Sequence, residues 1–378
     1  MPQDTAEEVC VHTMKVVNVV GTRPNFVKAA PLVEAFGRHG LTQCLVHTGQ
    51  HYDREVSGLL FEDLGLPEPD INLDVKSGSH AQQTAQIMCR FEPVLEQERP
   101  DMVVVVGDVN STIACALVAV KMGILVAHVE AGLRSFDRSM PEEINRILTD
   151  AIAHLWFASE PSAVENLIRE GAATERIHLV GNVMIDSLLR HRDRARCLPT
   201  LESFGLRGVG GRIPFAIATL HRPSNVDSPV QLRRWLEALG ELNSRIPVIF
   251  PIHPRTRRQM EACHLERFLD EIRVTGPMGY LEFLGLLCDA ALVVTDSGGI
   301  QEETTVLGIP CLTARDSTER PITVHLGTNR LVGSDPRKML SAAYEILDGK
   351  TPRGRIPELW DGCAAERIAQ IIAHQDLP

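Results

Sequence analysis

The chain has 378 residues, more than a single hydrophobic core of ordinary size accommodates, so we expect two domains. Hydrophobic residues make up 44% of it and charged residues 23%, the balance of a globular protein. The formal net charge of −11 argues against a broad surface for nucleic acid or anionic membrane, but is compatible with a local basic cleft for one phosphorylated metabolite.

We expect neither a secretory signal nor a membrane-spanning segment in this chain. Its apolar runs are too short to span a bilayer, and the polar, acidic residues 1–13 lack the pattern of a secretory signal. We interpret residues 1–13 as a flexible tail and expect a cytoplasmic protein. The nine cysteines form no CxxC pair, which favours reduced thiols over a structural zinc site.

Short apolar runs alternate with longer stretches of helical spacing. In the first half, the predicted strands are 14–20, 41–47, 101–106 and 124–129, and the predicted helices are 25–39 and 114–122. In the second half, the predicted strands are 214–219, 247–252, 272–275, 291–295 and 310–313, and the predicted helices are 231–243, 280–289 and 299–307. Repeated strand–helix–strand units predict parallel strands with helices on both faces.

We therefore predict an α/β protein with two doubly wound, Rossmann-like domains facing a cleft. The predicted N-terminal domain is 14–189 and the predicted C-terminal domain is 190–357, with a linker rich in charge, Gly and Pro at about 190–212. Ligands of such sheets bind beyond the carboxyl ends of the strands.

Charged side chains follow the predicted strands of the first half. Gly21 opens a turn that carries Arg23 and Lys28, a combination that suits an anion, although an ordinary strand-to-helix turn with solvated cations fits equally well. Asp108 directly follows the most hydrophobic strand, as either a helix cap or a cleft residue. Glu130 ends a buried strand, where a carboxylate is costly unless it is paired or used.

Two further groups extend this pattern. Glu142 and Glu143 begin a helix, where the helix dipole alone favours acidic residues, so we expect one of them to be structural. His221 and Arg222 follow the first strand of the second half and suit a diphosphate, and the histidine can also protonate a leaving oxygen near neutral pH.

The segment 295–303 combines hydroxyls, two glycines and a helix start. Gly298 and Gly299 allow backbone to approach phosphate closely, whereas inside a helix each would cost about 1 kcal/mol relative to Ala. Glu303 is placed to accept hydrogen bonds from ribose hydroxyls. Capping of the helix by Ser297 is the competing interpretation, and the glycine pair favours the ligand.

The residues indicate proton transfer rather than cofactor chemistry. The chain has no GxGxxG fingerprint, no tyrosine followed four residues later by lysine, and no metal-ligand spacing, so we predict neither cofactor nor metal. Carboxylates beside a diphosphate clamp suit a nucleotide sugar whose C1–O bond breaks. The C2 proton then becomes removable, and its return to the other face inverts C2.

The chain resembles the non-hydrolysing UDP-N-acetylglucosamine 2-epimerases from about Gly21 to Gly333. The shared strings are GTRPNFVKAAP, TGQH, GDVNST, HVEAGLRSFDRSMPEEINR, HRPSN, TDSGGIQEE and ERPITVHLGTN. The resemblance implies a glycosyltransferase-B architecture, UDP held mainly by the second domain, and a C-terminal helix within 358–378 that packs back on the first. It also implies a homodimer that converts UDP-N-acetylglucosamine to UDP-N-acetylmannosamine without a cofactor, for surface polysaccharide or glycan precursors.

The resemblance also implies roles for particular residues. Asp108, Glu130 and Glu142 match the acid/base carboxylates, and His221 matches the histidine at the diphosphate. The expected substrate-binding residues are Arg23, Lys28, Arg134, Arg222, Phe283, Ser297, Gly298, Gly299, Glu303 and Arg320. Gln50 and His51 match a region that binds a second, activating substrate in bacterial members. The stretch between Arg134 and Pro141 is shorter than in some of those members, and PIHPRTR also differs, which argues against activation.

Other functions fit part of this pattern. A hydrolysing epimerase would release N-acetylmannosamine and UDP, and a related 2-epimerase would act on a 2,3-diacetamido uronic-acid nucleotide. A glycosyltransferase of the same architecture would need an acceptor site, and no membrane-facing helix for a lipid acceptor is visible. A catalytically silent UDP-sugar sensor would not need three carboxylates near an anion.

Overall fold

The computed structural model describes residues 13–50, 60–208, 211–269, 272–350 and 354–375. The elements of the first half are β1 (Lys15–Val20), α1 (Arg23–Arg38), β2 (Thr42–His47), β3 (Ile71–Asn72), α2 (His80–Glu98), β4 (Met102–Val106), α3 (Asn110–Lys121), β5 (Leu125–Ala131), α4 (Pro141–Ile152), β6 (Leu155–Ala158), α5 (Pro161–Arg169), β7 (Ile177–Leu179) and α6 (Val183–Arg196). The elements of the second half are α7 (Thr200–Ser203), β8 (Arg207–Gly208), β9 (Gly211–Arg212), β10 (Ala216–Thr219), α8 (Pro223–Val226), α9 (Pro229–Asn243), β11 (Val248–Pro251), α10 (Pro254–Ala262), β12 (Arg273–Thr275), α11 (Tyr280–Leu287), β13 (Leu292–Thr295), α12 (Gly298–Leu307), β14 (Cys311–Thr313), α13 (Pro321–His325), β15 (Asn329–Leu331), α14 (Pro336–Leu347) and α15 (Ala364–Ala373). Of the helices within these ranges, none is long and apolar enough to cross a membrane.

Two parallel sheets form the framework. Within the described ranges, the strand order is β3-β2-β1-β4-β5-β6-β7 in the first sheet and β12-β11-β10-β13-β14-β15 in the second. In both sheets, the first strand in the chain is an inner strand. The next two strands extend the sheet to one edge, and the later strands extend it to the other edge. A crevice opens at such a reversal of strand order, here beside β1 and β4 and beside β10 and β13. The predicted α/β fold with two Rossmann-like domains is confirmed.

The apolar runs form the central strands because both faces of each sheet are covered. All five residues of β4 are buried, as expected for an inner parallel strand. At the start of α1, the backbone N–H and the hydroxyl of Thr22 both donate to Oδ1 of Asn25. The amide of Asn25 donates in turn to the carbonyl of Val106, 2.9 Å away. This side chain therefore holds the first turn of α1 against the carboxyl end of β4.

The stretch predicted as a linker, about 190–212, begins as a helix. The predicted boundary between residues 189 and 190 falls inside α6, which ends at Arg196. The first arginines of this stretch, up to Arg196, belong to an amphipathic helix whose buried residues include Leu188, His191 and Ala195. Local charge density here marks the solvent-facing side of a helix, because the buried side supplies the packing that sustains it.

The last helix, α15, lies against α1 of the first domain. Ile368 and Ile372 are fully buried in one cluster with Phe36. The carboxylate of Asp186, on α6, accepts hydrogen bonds from the backbone N–H groups of Ala364 and Ala365, at 3.1 and 2.7 Å. A side chain from elsewhere in the chain thus satisfies the first N–H groups of this helix.

Replacing Ile368 by Ala tests how much the docking of α15 stabilises the protein. Because the side chain is 0% exposed, we expect the free energy of unfolding to fall by about 2–5 kcal/mol. Chemical denaturation measures it. The matched control is Ile356→Ala, at a side chain that is 55% exposed, which we expect to change stability by no more than about 0.5 kcal/mol. Equal effects of the two substitutions would mean that α15 adds nothing to stability.

Candidate active site

Charged side chains from both sheets meet across the cleft. Nη2 of Arg320, from the second domain, lies 3.6 Å from Oε1 of Glu130 in the first. Nη1 of Arg222 lies 3.9 Å from Oε2 of Glu142 in the same way. Each contact joins a cation of the second domain to a carboxylate of the first. Two ion pairs therefore join the walls of the cleft.

Glu130 is held in an unusual backbone conformation at the end of β5. Its φ of 67° is in the left-handed region, and the pairing of β5 with β6 shifts register between Val129 and Ala131. Such bulges re-aim side chains and occur next to active sites. One carboxylate oxygen forms a short ion pair with Nζ of Lys28. The other has no hydrogen-bond partner among the described residues.

Asp108 lies beside this pair, in the turn between β4 and α3. Nε of Arg146 contacts its carboxylate at 2.9 Å. Burial opposes ionisation of Asp108, yet Arg146, Lys28 and Arg320 together hold its pKa below the ordinary value. The turn needs a glycine at 107, because φ is +71° and a Cβ there would lie 3.3 Å from Oε2 of Glu130. Asp108 is thus poised in its ionised form.

The two glutamates at the start of α4 have different environments. Glu143 is 1% exposed and accepts hydrogen bonds from the backbone N–H groups of Ser135 and Phe136, at 2.9 and 2.8 Å. It also pairs with Arg146. Glu142 is directed outward, with a side chain that is 39% exposed and near Arg222. Glu143 is therefore the structural member of the pair, and Glu142 is the one that reaches the cleft.

His221 sits on a buried carboxylate that the sequence did not single out. Nδ1 of its ring lies 2.8 Å from Oδ1 of Asp296, which is fully buried at the end of β13. The backbone N–H of Arg222 and the amide of Asn225 also donate to Asp296, at 2.9 and 3.0 Å. Burial alone would raise the pKa of Asp296. His221 and these donors outweigh burial and lower the pKa to about 2, below its ordinary value. The one available signal was an aspartate directly after a buried strand, as at Asp108.

The glycine pair begins α12, as the phosphate-binding interpretation requires. Gly298 is the first residue of the helix, after Ser297 as its N-cap. A Cβ at Gly298 would lie 2.6 Å from Nη1 of Arg320, so this position has no room for a side chain. Glu303 is buried within the same helix, and its carboxylate accepts a hydrogen bond from the hydroxyl of Tyr280 at 3.3 Å. Burial raises the pKa of Glu303 to about 8.

Arg320 is the centre of an ion network in which the sequence pointed to Arg320 and Glu130 but not to the other members. Its Nε donates to Glu302 at 2.6 Å, and Nη1 pairs with Glu319. Glu319 also accepts from Nη2 of Arg315 at 2.7 Å. All four side chains are buried. Glutamates at 302 and 319 read in the sequence as ordinary helix and turn residues, and only the folded chain brings them around one guanidinium.

The remaining predicted residues occupy varied positions. Nη2 of Arg23 donates to the carbonyl of Met278 at 2.9 Å, which links the two domains. Arg134 is buried and pairs with Asp150 at 2.8 Å and with Glu170 at 2.5 Å, so its contact with substrate stays a prediction.

Phe283 and the predicted activating region complete the set. Phe283 is half-buried at the edge of a second-domain apolar cluster. Gln50 accepts a hydrogen bond from the hydroxyl of Ser111 at 2.8 Å, beside the β4–α3 turn, and His51 lies outside the described residues. A regulatory role for Gln50 and His51 stays a prediction.

The chemistry of the cleft is that of carboxylates and cations. In the described part of the chain, no three His, Cys, Asp or Glu side chains are grouped as metal ligands would be. Asp108, Glu130 and Glu142 belong to one wall, and from the other wall Arg222 contacts Glu142 and Arg320 contacts Glu130. Such an arrangement holds an anion and moves protons at a neighbouring carbon.

Comparisons with known proteins agree with this geometry. Residues 34–373 match the family model described as UDP-N-acetylglucosamine 2-epimerase. The chain is 42% identical over 366 residues to the UDP-N-acetylglucosamine 2-epimerase of Methanocaldococcus jannaschii, covering 96% of this chain and 99% of that one. It is also 42% identical over 364 residues to the UDP-2,3-diacetamido-2,3-dideoxy-D-glucuronate 2-epimerase of Pseudomonas aeruginosa, covering 95% and 99%. The crystal structure of the M. jannaschii enzyme with UDP-GlcNAc and UDP superposes with a TM-score of 0.89 at 41% identity, covering 96% of this chain and 100% of that one.

Replacing Glu303 by Gln tests the burial of this carboxyl group. Its folded pKa of about 8 exceeds the ordinary 4.5, so the parent protein loses stability as the pH rises from 4.5 to about 8. The amide of the variant does not ionise, so the variant does not lose stability in this way. We expect Glu303→Gln to unfold with a free energy about 1–3 kcal/mol higher than the parent at about pH 9, and little different at about pH 5. Chemical denaturation at both pH values measures this.

The control is Glu345→Gln, at a surface residue that pairs with Arg330. We expect its effect to stay below about 1 kcal/mol at both pH values. A Glu303→Gln protein less stable than the parent at about pH 9 would show that the ionised carboxylate stabilises the fold.

Proposed function

This chain belongs to the UDP-N-acetylglucosamine 2-epimerase family, and we propose that it interconverts UDP-N-acetylglucosamine and UDP-N-acetylmannosamine without hydrolysis. The observation that carries the proposal is the pairing across the cleft. Glu130 of the first domain faces Arg320 of the second at 3.6 Å, and Glu142 of the first faces Arg222 of the second at 3.9 Å. The homodimer, the cytoplasmic location and the use of the product in surface polysaccharide or glycan synthesis stay predictions.

The second domain supplies a site for the nucleotide diphosphate. The N-terminus of α12, opened by Gly298 and Gly299, presents backbone N–H groups that have no partner within the helix, together with the positive end of the helix dipole. Arg320 lies where a side chain at Gly298 would be, so that its charge is next to those N–H groups. His221 and Arg222 approach from β10. Negative charge that develops on a departing diphosphate is stabilised there.

The first domain supplies the groups that move protons at the sugar. Asp108 is a base because its neighbouring cations keep it ionised. Glu130 is ion-paired with Lys28 and retains one oxygen without a hydrogen-bond partner among the described residues. Glu142 is more exposed and reaches the cleft from the start of α4. Inversion at C2 needs proton transfer on both faces of the ring, which explains why more than one carboxylate is present.

The reaction proceeds by elimination and readdition. A carboxylate takes the proton from C2, the C1–O bond to the diphosphate breaks, and its electron pair leaves with UDP. A double bond then joins C1 and C2. In the return step a diphosphate oxygen of UDP attacks C1, and a second acidic group delivers a proton to C2 from the opposite face. No oxidant or reductant is consumed.

A second candidate substrate has support of its own. The chain is 42% identical both to a UDP-N-acetylglucosamine 2-epimerase and to a UDP-2,3-diacetamido-2,3-dideoxy-D-glucuronate 2-epimerase. Both reactions invert C2, and the two substrates differ at C3 and C6 of the sugar. A hydrolysing enzyme is the third alternative, in which water rather than UDP adds to C1.

Proton NMR of the purified protein with each nucleotide sugar in D₂O distinguishes these alternatives. The proposal predicts UDP-N-acetylmannosamine with deuterium at C2, in equilibrium with UDP-N-acetylglucosamine. Turnover of the diacetamido-glucuronate nucleotide alone would replace the proposed substrate by that one. Free N-acetylmannosamine together with UDP would identify the hydrolysing enzyme.

Replacing Asp108 by Asn removes the proposed base and keeps its shape. We expect kcat to fall by at least about 100-fold, because general-base catalysis contributes about 10²–10⁴-fold. The affinity for UDP, measured by calorimetry, should stay within about threefold, since the second domain holds the nucleotide.

The control is Asp193→Asn, at an aspartate whose side chain is 82% exposed on α6. We expect it to retain parental activity. An Asp108→Asn protein with more than about a tenth of the parental kcat would exclude Asp108 as the base.

A further inference from the structure

The contact between His221 and Asp296 has two parts that differ in their chemistry. Oδ2 of Asp296 accepts from the backbone N–H groups of His221 and Arg222 and from the amide of Asn225, at 3.0, 2.9 and 3.0 Å. This half holds the turn that follows β10. Oδ1 lies 3.1 Å from the backbone nitrogen of His221 and 2.8 Å from Nδ1 of its ring.

The ring contact fixes where the proton of His221 resides. An ionised carboxylate can only accept hydrogen bonds, so the hydrogen at the 2.8 Å contact is on Nδ1. In the neutral ring Nε2 is then the unprotonated nitrogen. Asp296 is fully buried, whereas the side chain of His221 is 34% exposed, so the edge of the ring away from Asp296 is the accessible one. The ring of His253 lies close by, with its centroid 5.3 Å from that of His221.

We infer that Asp296 is a positioning residue that keeps the proton of neutral His221 on Nδ1, so that the ring exchanges protons with the diphosphate through Nε2. The inference rests on the proposed function for its catalytic consequence. As the C1–O bond breaks, the imidazolium transfers its Nε2 proton to the departing diphosphate oxygen and becomes neutral. When that oxygen attacks C1, Nε2 takes the proton back. Asp296 stabilises the imidazolium without itself being protonated.

Asp296→Asn separates the two halves of the contact. The amide oxygen can occupy the position of Oδ2 and keep its three donors, because those donors fix the orientation of the amide. The NH₂ group then faces Nδ1 of His221 and donates to it. This moves the proton of the neutral ring to Nε2 and opposes the imidazolium. The variant therefore keeps the turn after β10, while the neutral His221 ring carries its proton on Nε2 instead of Nδ1.

Two measurements test the inference. Long-range ¹H–¹⁵N NMR of the full-length protein labelled at histidine, at about pH 9 and without substrate, reports the tautomer of each neutral ring. His221→Gln identifies the signal. We expect the proton on Nδ1 in the parent and on Nε2 in Asp296→Asn. A parental His221 with its proton on Nε2 would overturn the inference, and this result needs neither turnover nor a folded Asp296→Asn protein.

Kinetics supply the second measurement. We expect kcat of Asp296→Asn to fall by at least about 100-fold while KM changes by less than about threefold. The matched control, Asp227→Asn, alters an exposed aspartate at the end of α8 that pairs with Arg255, and should retain parental kinetics. A folded Asp296→Asn protein with parental kcat, or with an effect on KM alone, would overturn the inference. Lack of turnover by the parent on either UDP-sugar would refute the proposed function, and the tautomer would still decide the role of Asp296.

Discussion

The protein depends on keeping buried charges paired across two domains. Arg320 is 5% exposed and touches carboxylates on three sides, from Glu302, Glu319 and Glu130. Removing one member of such a group leaves an uncompensated buried charge, which typically costs about 3–5 kcal/mol. Because Glu130 belongs to the first domain and the other members to the second, the same ion pairs that satisfy the interior also fix the distance between the walls of the cleft.

The cleft is built from similar parts on both walls. On each, an inner strand ends in an aspartate, Asp108 after β4 and Asp296 after β13. Their surroundings give them different tasks. Asp108 lies among cations at the cleft, whereas Asp296 is enclosed by hydrogen-bond donors from residues 221–225 and contacts the ring of His221. Equivalent positions at the ends of two sheets thus carry different chemistry, because the neighbouring side chains decide which atoms are reachable.

Much of the fold could be predicted from the sequence, because β-branched runs between helical stretches are a local signal. The candidate residues that follow strands were also visible, since parallel strands bring their carboxyl ends to one edge. Glu302 and Asp296 were not recognised, because their partners Arg320 and His221 lie 18 and 75 residues away in the chain. Glu319 has close neighbours in the chain as partners, Arg315 and Arg320, but its burial depends on the folded structure. The linker prediction erred at residues 190–196, where charge on the exposed side of α6 concealed its buried side.

The docking of α15 has a consequence for how the chain folds during synthesis. The helix follows both sheets in the sequence, yet its buried residues Ile368 and Ile372 complete the core of the first domain beside Phe36. Domains generally fold in the order in which the ribosome makes them. Here the first domain exposes an apolar face until the second has been translated, so a nascent chain that stalls before α15 presents that face to chaperones or to aggregation.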